Sequence, residues 1–348
     1  MYEHIADALT LPALINYREN RYVLRFESMK VASALAAVEE LLSTGTVDAG
    51  TTLVDSSSGI YAYALALACH KHNLNCHIVG STTIDATLKA QLRILGATLE
   101  QVKPSASMKL DQSLRVARIQ EYLAEHPTAH WMRQYHDRVH YLGYQSIART
   151  IAGEISASRV NLIGGVGSGA STGGLAEVLR KEVDLVRVTG IQPFGSISFG
   201  SEAVSDPSIL IAGIGSAIPF GNISYEAFDR IDWVSFDCAR SGAIRLLEDT
   251  GIFAGLSTGA GYAVAHDVGL HEPDVPLVLV AADTGHRYLD AVYAPGLPAP
   301  LPLESLRPNQ IAEFTDLALP WSTMDWKRRP FTPAAPGAPA APGDEVTA

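Results

Sequence analysis

The sequence predicts an α/β protein of two domains, each with a mostly parallel twisted sheet flanked by helices. Short β-branched runs alternate with helical patterns between residues 51 and 156, and the same alternation begins again at residue 160. Strands that alternate with helices form right-handed crossovers, which produce parallel sheets covered on both faces. The chain has 348 residues, 47% of them hydrophobic, and is therefore long enough for two such cores.

The first series of elements lies in the N-terminal half of the chain. The patterns predict strands over 51–55, 75–80 and 97–102, and helices over 61–72, 85–96 and 107–125. Gly96 suits the end of the second of these helices, because glycine readily adopts the left-handed conformation found there. A short strand over 130–135 and a helix over 141–156 complete the series.

The second series predicts strands over 160–165, 185–191, 232–236 and 275–283, with helices over 172–181 and 239–249. The chain then ends in a Pro/Ala-rich stretch, residues 329–348, that has no apolar periodicity. We expect this tail to be disordered, because it offers too little apolar surface to offset the entropy of ordering.

Composition argues against several kinds of partner. Acidic residues outnumber basic ones, 37 to 26, and no basic cluster is present, so we expect no nucleic-acid partner. No apolar run is long enough to span a bilayer, and no signal peptide is recognisable, which predicts a cytoplasmic protein without a membrane partner. The three cysteines, Cys69, Cys76 and Cys238, lack metal-ligand spacing, so we expect reduced thiols and no metal site.

Lys30 stands at the start of a helix rich in small apolar residues. A cation is disfavoured there, because the N-terminal end of a helix carries partial positive charge. Lys30 is either a solvated surface lysine at a helix start or a lysine placed there for its chemistry.

A glycine-rich turn follows the strand over 160–165. Glycine permits positive φ and close approach of the backbone to a ligand, and the N–H groups of a helix start favour an anion. The turn is therefore either a phosphate cradle or a tight strand-to-helix connection. Its residues are Gly167, Ser168, Gly169, Ala170 and Ser171.

Two further glycine turns, over 55–64 and 255–265, also follow predicted strands. Each is either a capped helix start or part of a ligand site. Parallel sheets open their ligand crevices at the carboxyl ends of strands, so all three turns and Lys30 are expected near one crevice.

The ordered set of motifs resembles the cysteine synthase and cystathionine β-synthase family of pyridoxal-phosphate (PLP) enzymes, which have the tryptophan-synthase-β fold. The resemblance covers roughly Leu11 to Leu289. It rests on "SMKVASA", "DSSSG", "VGSGASTGG", "VTGIQP", "EDTGIFAGLSTGAG" and "ADTGHRYL", which follow one another in family order. It implies PLP in a cleft between a large domain, residues 1–20 and 135–328, and a smaller mobile domain, residues 21–134.

The resemblance also implies roles for the cofactor-binding residues. Lys30 would form the Schiff base with PLP and serve as the catalytic base. The glycine-rich turn described above, from Gly167 to Ser171, would hold the cofactor phosphate. Thr258 would meet the pyridine nitrogen, and a hydroxyl there favours loss of a β-substituent over long-lived carbanion chemistry.

The substrate carboxylate would be held by the loop "SSGIY" and by a glutamine, namely Ser57, Ser58, Gly59, Tyr61 and Gln134. From the residues alone, Gln134 is equally a polar residue at a strand end. Ile60 departs from the family, which has an asparagine beside the cofactor's phenolate oxygen. Either the cofactor electronics and substrate fit are altered, or the local alignment shifts and a neighbouring serine serves instead.

The activity implied is PLP-dependent β-replacement on a serine- or cysteine-type amino acid, through an aminoacrylate intermediate. The departures surround the substrate, so we expect a non-standard amino-acid substrate and a small nucleophile such as a thiol or amine. Two alternatives are a β-elimination lyase, such as a desulfhydrase or dehydratase, and a catalytically silent binding protein. A homodimer is expected from the resemblance alone.

Overall fold

The computed structural model describes residues 1–82, 84–103, 108–206 and 213–333. A four-stranded sheet is formed in the N-terminal part of the chain, in the order β5-β4-β3-β6. All of its neighbouring strands are parallel. These strands are β3 (Thr52–Ser56), β4 (Asn75–Ser81), β5 (Thr98–Val102) and β6 (His130–Trp131).

Helices cover both faces of the small sheet. Alternate residues of β3 point to opposite faces, so Leu53 joins the core beneath one group of helices while Val54 packs beside Ile119 on the other face. The helices around this sheet are α1 (Ile5–Leu9), α2 (Lys30–Ser43), α3 (Ile60–His72), α4 (Ala86–Ile94) and α5 (Met108–Glu125).

An eight-stranded sheet forms the second layer, in the order β1-β2-β10-β7-β8-β9-β12-β11. Its strands are β1 (Ala13–Arg18), β2 (Arg21–Arg25), β7 (Arg159–Gly165), β8 (Leu185–Gln192), β9 (Arg230–Val234), β10 (Leu277–Ala281), β11 (Asn309–Gln310) and β12 (Trp321–Asp325). Strands β2, β10, β7, β8 and β9 are parallel, whereas β1 and β12 pair antiparallel with β2 and β9.

The large sheet is also covered on both faces. One core includes Leu162, Leu175 and Trp233, and the other includes Ile163, Leu246 and Leu279. The helices are α6 (Gln145–Ile155), α7 (Ala170–Glu182), α8 (Phe236–Thr250) and α9 (Leu256–His271), and a 3₁₀ helix (Arg138–Tyr144) precedes α6. The predicted α/β class, with mostly parallel sheets flanked by helices, is confirmed.

The expected domain bounds are wrong for two elements. Helix α1 packs in the core of the small sheet through Ala6 and Leu9, although residues 1–20 were assigned to the large domain. Strand β2 pairs with β1 and β10 in the large sheet, although residues 21–134 were assigned to the smaller domain. The reason is covalent: a hairpin joins β2 to β1, with Asn20 in the left-handed conformation (φ 56°). The predicted strand over 130–135 is also shorter, since only His130–Trp131 pair in the sheet.

The start of the predicted disordered tail is ordered. The guanidinium of Arg329 lies 4.4 Å from the ring centre of Trp326. Phe331 packs against Trp326 and Tyr225, with ring centres 5.5 and 5.4 Å apart. Trp326 is close in sequence, but Tyr225 comes from a distant part of the chain, and a local compositional argument cannot detect such a partner. Residues 334–348 of the predicted tail lie outside the described part of the chain.

Candidate active site

Lys30 lies between the two sheets and is largely buried. Its Nζ donates a hydrogen bond to Ser168 Oγ at 3.1 Å. The loop before it is held by Met29, whose N–H donates to Ala282 O at 2.9 Å, beyond the carboxyl end of β10. Burial lowers the pKa of Lys30 to about 8, although the negative charge of Asp55 acts to raise it. The structure therefore favours the chemical interpretation over a solvated surface lysine.

The glycine-rich turn connects β7 to α7. Gly169 has φ +85°, and a Cβ there would lie 2.8 Å from Ile223 Cα, so only glycine fits without movement. A Cβ at Gly167 would lie 2.4 Å from Gly213 O. Helix α7 begins at Ala170 without a side-chain cap. Its first N–H groups can therefore bind an anion, as the sequence predicts.

Thr258 lies in the first turn of α9 and is fully buried. Its Oγ1 has no hydrogen-bond partner among the described residues. A buried hydroxyl without a partner is costly, so such a group indicates a partner that arrives with a ligand.

The two serine hydroxyls of the predicted substrate loop accept backbone hydrogen bonds. Ser57 Oγ accepts from the N–H groups of Gly59 (3.2 Å) and Ala62 (3.1 Å), where α3 begins. Ser58 Oγ accepts from the N–H of Ser81 at 2.8 Å. Because these contacts use only lone pairs, the hydroxyl protons can still be donated to a carboxylate.

Gln134 lies in the turn after β6 and bonds to the residues that lead into the substrate loop. Its Nε2 donates to Ser56 O at 2.8 Å, and its backbone N–H donates to Asp55 Oδ2 at 2.9 Å. Asp55 Oδ1 accepts from the N–H of Ser56 (2.7 Å) and from Trp131 Nε1 (3.2 Å). Burial raises the pKa of Asp55 to about 6, against the effect of these donors and of the charge on Lys30.

Tyr61 is placed differently from the expected substrate contact. Its hydroxyl lies 2.8 Å from His140 Nε2. His140 Nδ1 lies 3.0 Å from Asp137 O, which can only accept, so Nδ1 carries the proton and the Tyr61 hydroxyl donates to Nε2. Burial lowers the pKa of His140 to about 4, so the ring is neutral. This contact uses the single proton of the Tyr61 hydroxyl.

Ile60 is the first residue of α3 and is partly exposed. Its aliphatic side chain cannot donate a hydrogen bond, so any donor to a ligand at this corner has to come from a neighbour. Ser57 and Ser58 precede it and keep their hydroxyl protons.

Sequence reasoning missed four polar groups around the site: Asp55, Arg115, His140 and Arg287. Arg115 Nε donates to Ser56 Oγ at 3.0 Å, and in the described part of the chain no carboxylate pairs with it. The aspartate that directly precedes the serine loop was a usable signal, because it ends a buried strand. The other three reach the site from elements distant in sequence.

The residues present fit PLP. A largely buried lysine faces the glycine-rich turn, the turn has no space for additional side-chain atoms at Gly167 and Gly169, and an unpartnered hydroxyl is available at Thr258. Lys30 would hold the aldehyde carbon, the turn would hold the phosphate, and Thr258 would meet the ring nitrogen. PLP, when bound, withdraws electrons from the α-carbon of an amino acid.

This fold and this site define an enzyme that uses PLP to act on amino acids. Residues 19–283 match the family described as pyridoxal-phosphate dependent enzyme, and the chain belongs to that family. The predicted cofactor and the resemblance to the cysteine synthase group are confirmed.

Two curated relatives carry the same name, N-(2-amino-2-carboxyethyl)-L-glutamate synthase. The relative from Ralstonia nicotianae is 33% identical over 269 residues, covering 76% of this chain and 78% of its own length. The relative from Cupriavidus metallidurans is 30% identical over 271 residues, covering 76% of this chain and 79% of its own length.

Solved structures share the fold. The O-acetylserine dependent cystathionine β-synthase from Helicobacter pylori has a TM-score of 0.75 at 21% identity, covering 84% of this chain and 99% of that one. O-ureido-L-serine synthase has a TM-score of 0.71 at 22% identity, covering 84% and 94%. No helix among the described residues is long and apolar enough to cross a membrane, and those residues contain no cluster suited to a metal ion.

Proposed function

We propose that this enzyme replaces the β-substituent of a serine-type amino acid with the amine of a second amino acid. The relatives' name describes a glutamate whose nitrogen carries a 2-amino-2-carboxyethyl group, which is an alanine unit bonded through its β-carbon. The reaction balances simply: the donor loses its β-substituent as an anion, the amine loses one proton, and a new carbon–nitrogen bond forms. The contact between Lys30 and Ser168 carries the proposal, because it places a base beside the anion-binding turn.

Lys30 is the proton carrier of this reaction. Its Nζ, once free, removes the α-proton of the donor and later returns a proton to the same carbon. A pKa of about 8 leaves an appreciable neutral fraction near neutral pH. Ser168 Oγ accepts the hydrogen bond that orients the amine.

The substrate loop binds the donor carboxylate. Ser57 and Ser58 have hydroxyl protons to donate, and Gly59 allows close approach to the backbone. Gln134 fixes the position of this loop through Ser56 O. Tyr61 supports the loop through its hydrogen bond to His140, and its hydroxyl does not donate to substrate.

Arg115 binds an anionic group on one of the two substrates. It lies at one end of the substrate loop, where its Nε donates to Ser56 Oγ, and its other guanidinium N–H groups make no hydrogen bond to a described residue. No carboxylate among the described residues pairs with it. Its planar fork suits a carboxylate or a phosphate ester.

The test is product analysis with defined substrates. The PLP-loaded enzyme is incubated with L-serine, O-acetyl-L-serine or O-phospho-L-serine, with and without L-glutamate, and products are identified by mass spectrometry. A conjugate that joins the donor's β-carbon to the glutamate nitrogen supports the proposal. Pyruvate and ammonia as the sole products with every amine would instead make the enzyme a β-elimination lyase. No turnover at all would leave a binding protein.

Arg115→Gln tests the anion site separately. We expect KM to rise about tenfold or more for the substrate whose anion it binds, because a charge-assisted hydrogen bond is lost. Arg118→Gln is the matched control, since Arg118 lies on the same helix and pairs with Glu100. Equal KM values in both variants would remove Arg115 from the site.

We also propose a cytoplasmic homodimer. Membership of the family supports the dimer. The three cysteines are buried free thiols, which supports a reducing compartment. Light scattering of the purified protein tests the first, and fractionation of cells tests the second.

A further inference from the structure

Arg287 reaches the substrate loop at Gly59, whereas Arg115 bonds to Ser56 at the other end. Arg287 lies in a 3₁₀ helix, Gly285–Tyr288, that follows the carboxyl end of β10. Its Nη1 is 3.6 Å from the position that a Cβ on Gly59 would occupy. Two arginines therefore flank the loop between Ser56 and Gly59, one at each end.

The one ion pair of Arg287 among the described residues is easily exchanged. Its Nη2 lies 3.3 Å from Asp85 Oδ2, with the two side chains 38% and 43% exposed. Exposed pairs of this kind contribute little to stability because water screens them. Asp85 remains satisfied without the arginine, since its Oδ1 accepts the N–H of Leu88 at 2.8 Å and caps α4.

The guanidinium of Arg287 thus has N–H groups that bond to no described residue. A guanidinium has five N–H donors in a planar fork, and one contact with Asp85 uses only part of them. A carboxylate that enters beside Gly59 can take two parallel hydrogen bonds from the same fork. The nucleophile of the proposed reaction is an amino acid, and it brings at least one carboxylate to this side of the site.

We propose that Arg287 binds a carboxylate of the nucleophile amino acid and selects it over amines and thiols that lack a carboxylate. This inference rests on the proposed function. Asp85 holds the arginine between turnovers and competes with the incoming carboxylate. Arg287 is a specificity-determining residue, and the donor's own carboxylate is bound by the loop.

Two substitutions separate this role from a structural one, because they act in opposite directions. Arg287→Gln removes the charge, and we expect KM for L-glutamate to rise about 10- to 100-fold with kcat changed little. Asp85→Asn keeps the oxygen that caps α4 but removes the competing charge, so KM for L-glutamate should fall. If the ion pair between Arg287 and Asp85 were only structural, both substitutions would change the KM for L-glutamate in the same direction.

The matched control is Arg245→Gln, because Arg245 is 36% exposed and pairs with Glu248 on α8, away from the site. Hydrosulfide is the nucleophile that lacks a carboxylate, so its KM should be equal in all the variants. Calorimetric titration of the PLP-loaded protein with L-glutamate gives Kd without turnover and should follow the same order.

The outcomes distinguish the two proposals. If wild-type enzyme forms no carbon–nitrogen product with any amine, the proposed function fails. If wild type forms it but Arg287→Gln leaves the KM and Kd of L-glutamate within twofold of wild type, the assignment of Arg287 fails alone. A rise in KM for hydrosulfide as large as that for L-glutamate would also overturn it.

Discussion

Lys30 Nζ and Ser168 Oγ are 3.1 Å apart, and this single hydrogen bond joins two elements that come from different sheets. Lys30 begins α2, which packs beside the small sheet, whereas Ser168 belongs to the turn between β7 and α7 of the large one. The lysine and the anion-binding turn thus lie side by side.

Uptake of PLP by the apoenzyme should depend on pH through Lys30. Only the neutral amine attacks an aldehyde, and burial lowers the pKa of Lys30 to about 8. The rate of cofactor uptake should therefore rise with pH and level off above about 8, whereas an ordinary lysine would level off above about 10. Stopped-flow absorbance measures this rate. Lys30→Ala should abolish attachment after borohydride reduction, and unchanged attachment and turnover in that variant would refute the site.

Lys30 should also destabilise the apoenzyme at neutral pH. Its pKa is about 8 in the folded protein, against an ordinary value of 10.5, so the unfolded chain binds more protons between these pH values and stability rises with pH across that window. Below pH 8 the cost is fully present, up to roughly 3 kcal/mol. Apo Lys30→Met should be more stable than wild type in urea at pH 7, with the gain shrinking towards pH 10. A gain that does not vary with pH would contradict this.

Asp55→Asn should act on both stability and the charge of Lys30. An amide nitrogen cannot accept, so at least one N–H now bonded to the carboxylate loses its partner, at a cost of roughly 1–3 kcal/mol. Because the negative charge of Asp55 raises the pKa of Lys30, its removal should move the pH midpoint of PLP uptake downwards. A midpoint that moves upwards would show that the substitution simply admits water.

Gly169→Ala should weaken PLP binding and stability together. Alanine at φ +85° is strained, and its Cβ would meet backbone atoms of Asn222 and Ile223 at 2.9 and 2.8 Å. The cost should exceed about 1–2 kcal/mol, because the backbone of the turn has to move. Gly153→Ala is the control: it lies in α6 with open space around it, and alanine there should stabilise the helix slightly. Thermal melts with and without PLP report both effects.

Thr258→Val should have opposite effects on the apo and PLP-loaded protein. Its Oγ1 is buried without a partner among the described residues, so valine should leave the apoenzyme equally or more stable. The PLP-loaded form loses the hydrogen bond that the hydroxyl would make. The increase in melting temperature on adding PLP should therefore shrink in Thr258→Val and persist in Thr258→Ser. Equal increases in all three proteins would place the ring nitrogen elsewhere.

The parallel strands could be predicted because they are buried on both faces and therefore appear as short continuous apolar runs, as in β7 and β10. Strands β1 and β2 were missed because they carry arginines and polar residues, and because β1 is only half-buried at the sheet edge. Strand β12 follows a Pro-rich segment and pairs antiparallel with β9 across a long stretch of chain. Local patterns carry no information about such pairing.

The residues of the site, like the strands, could be predicted only where the signal is local. Glycines predict tight turns from local sequence, and the turn at Gly169 is one that only glycine fits. The partner of Tyr61 could not be predicted, because His140 is 79 residues away and arrives on a 3₁₀ helix. A tyrosine beside a substrate loop looks like a ligand contact until its hydroxyl is found bonded elsewhere.

The packing of Phe331 has a practical consequence for anyone who engineers the C-terminus. An affinity tag or fluorescent fusion attached after residue 333 leaves the rings of Trp326, Tyr225 and Phe199 covered. Truncation of the chain after Lys327 would instead remove Arg329 and Phe331 and expose an aromatic, apolar surface to solvent. Solubility on expression should then depend on whether the cut falls before or after these two side chains.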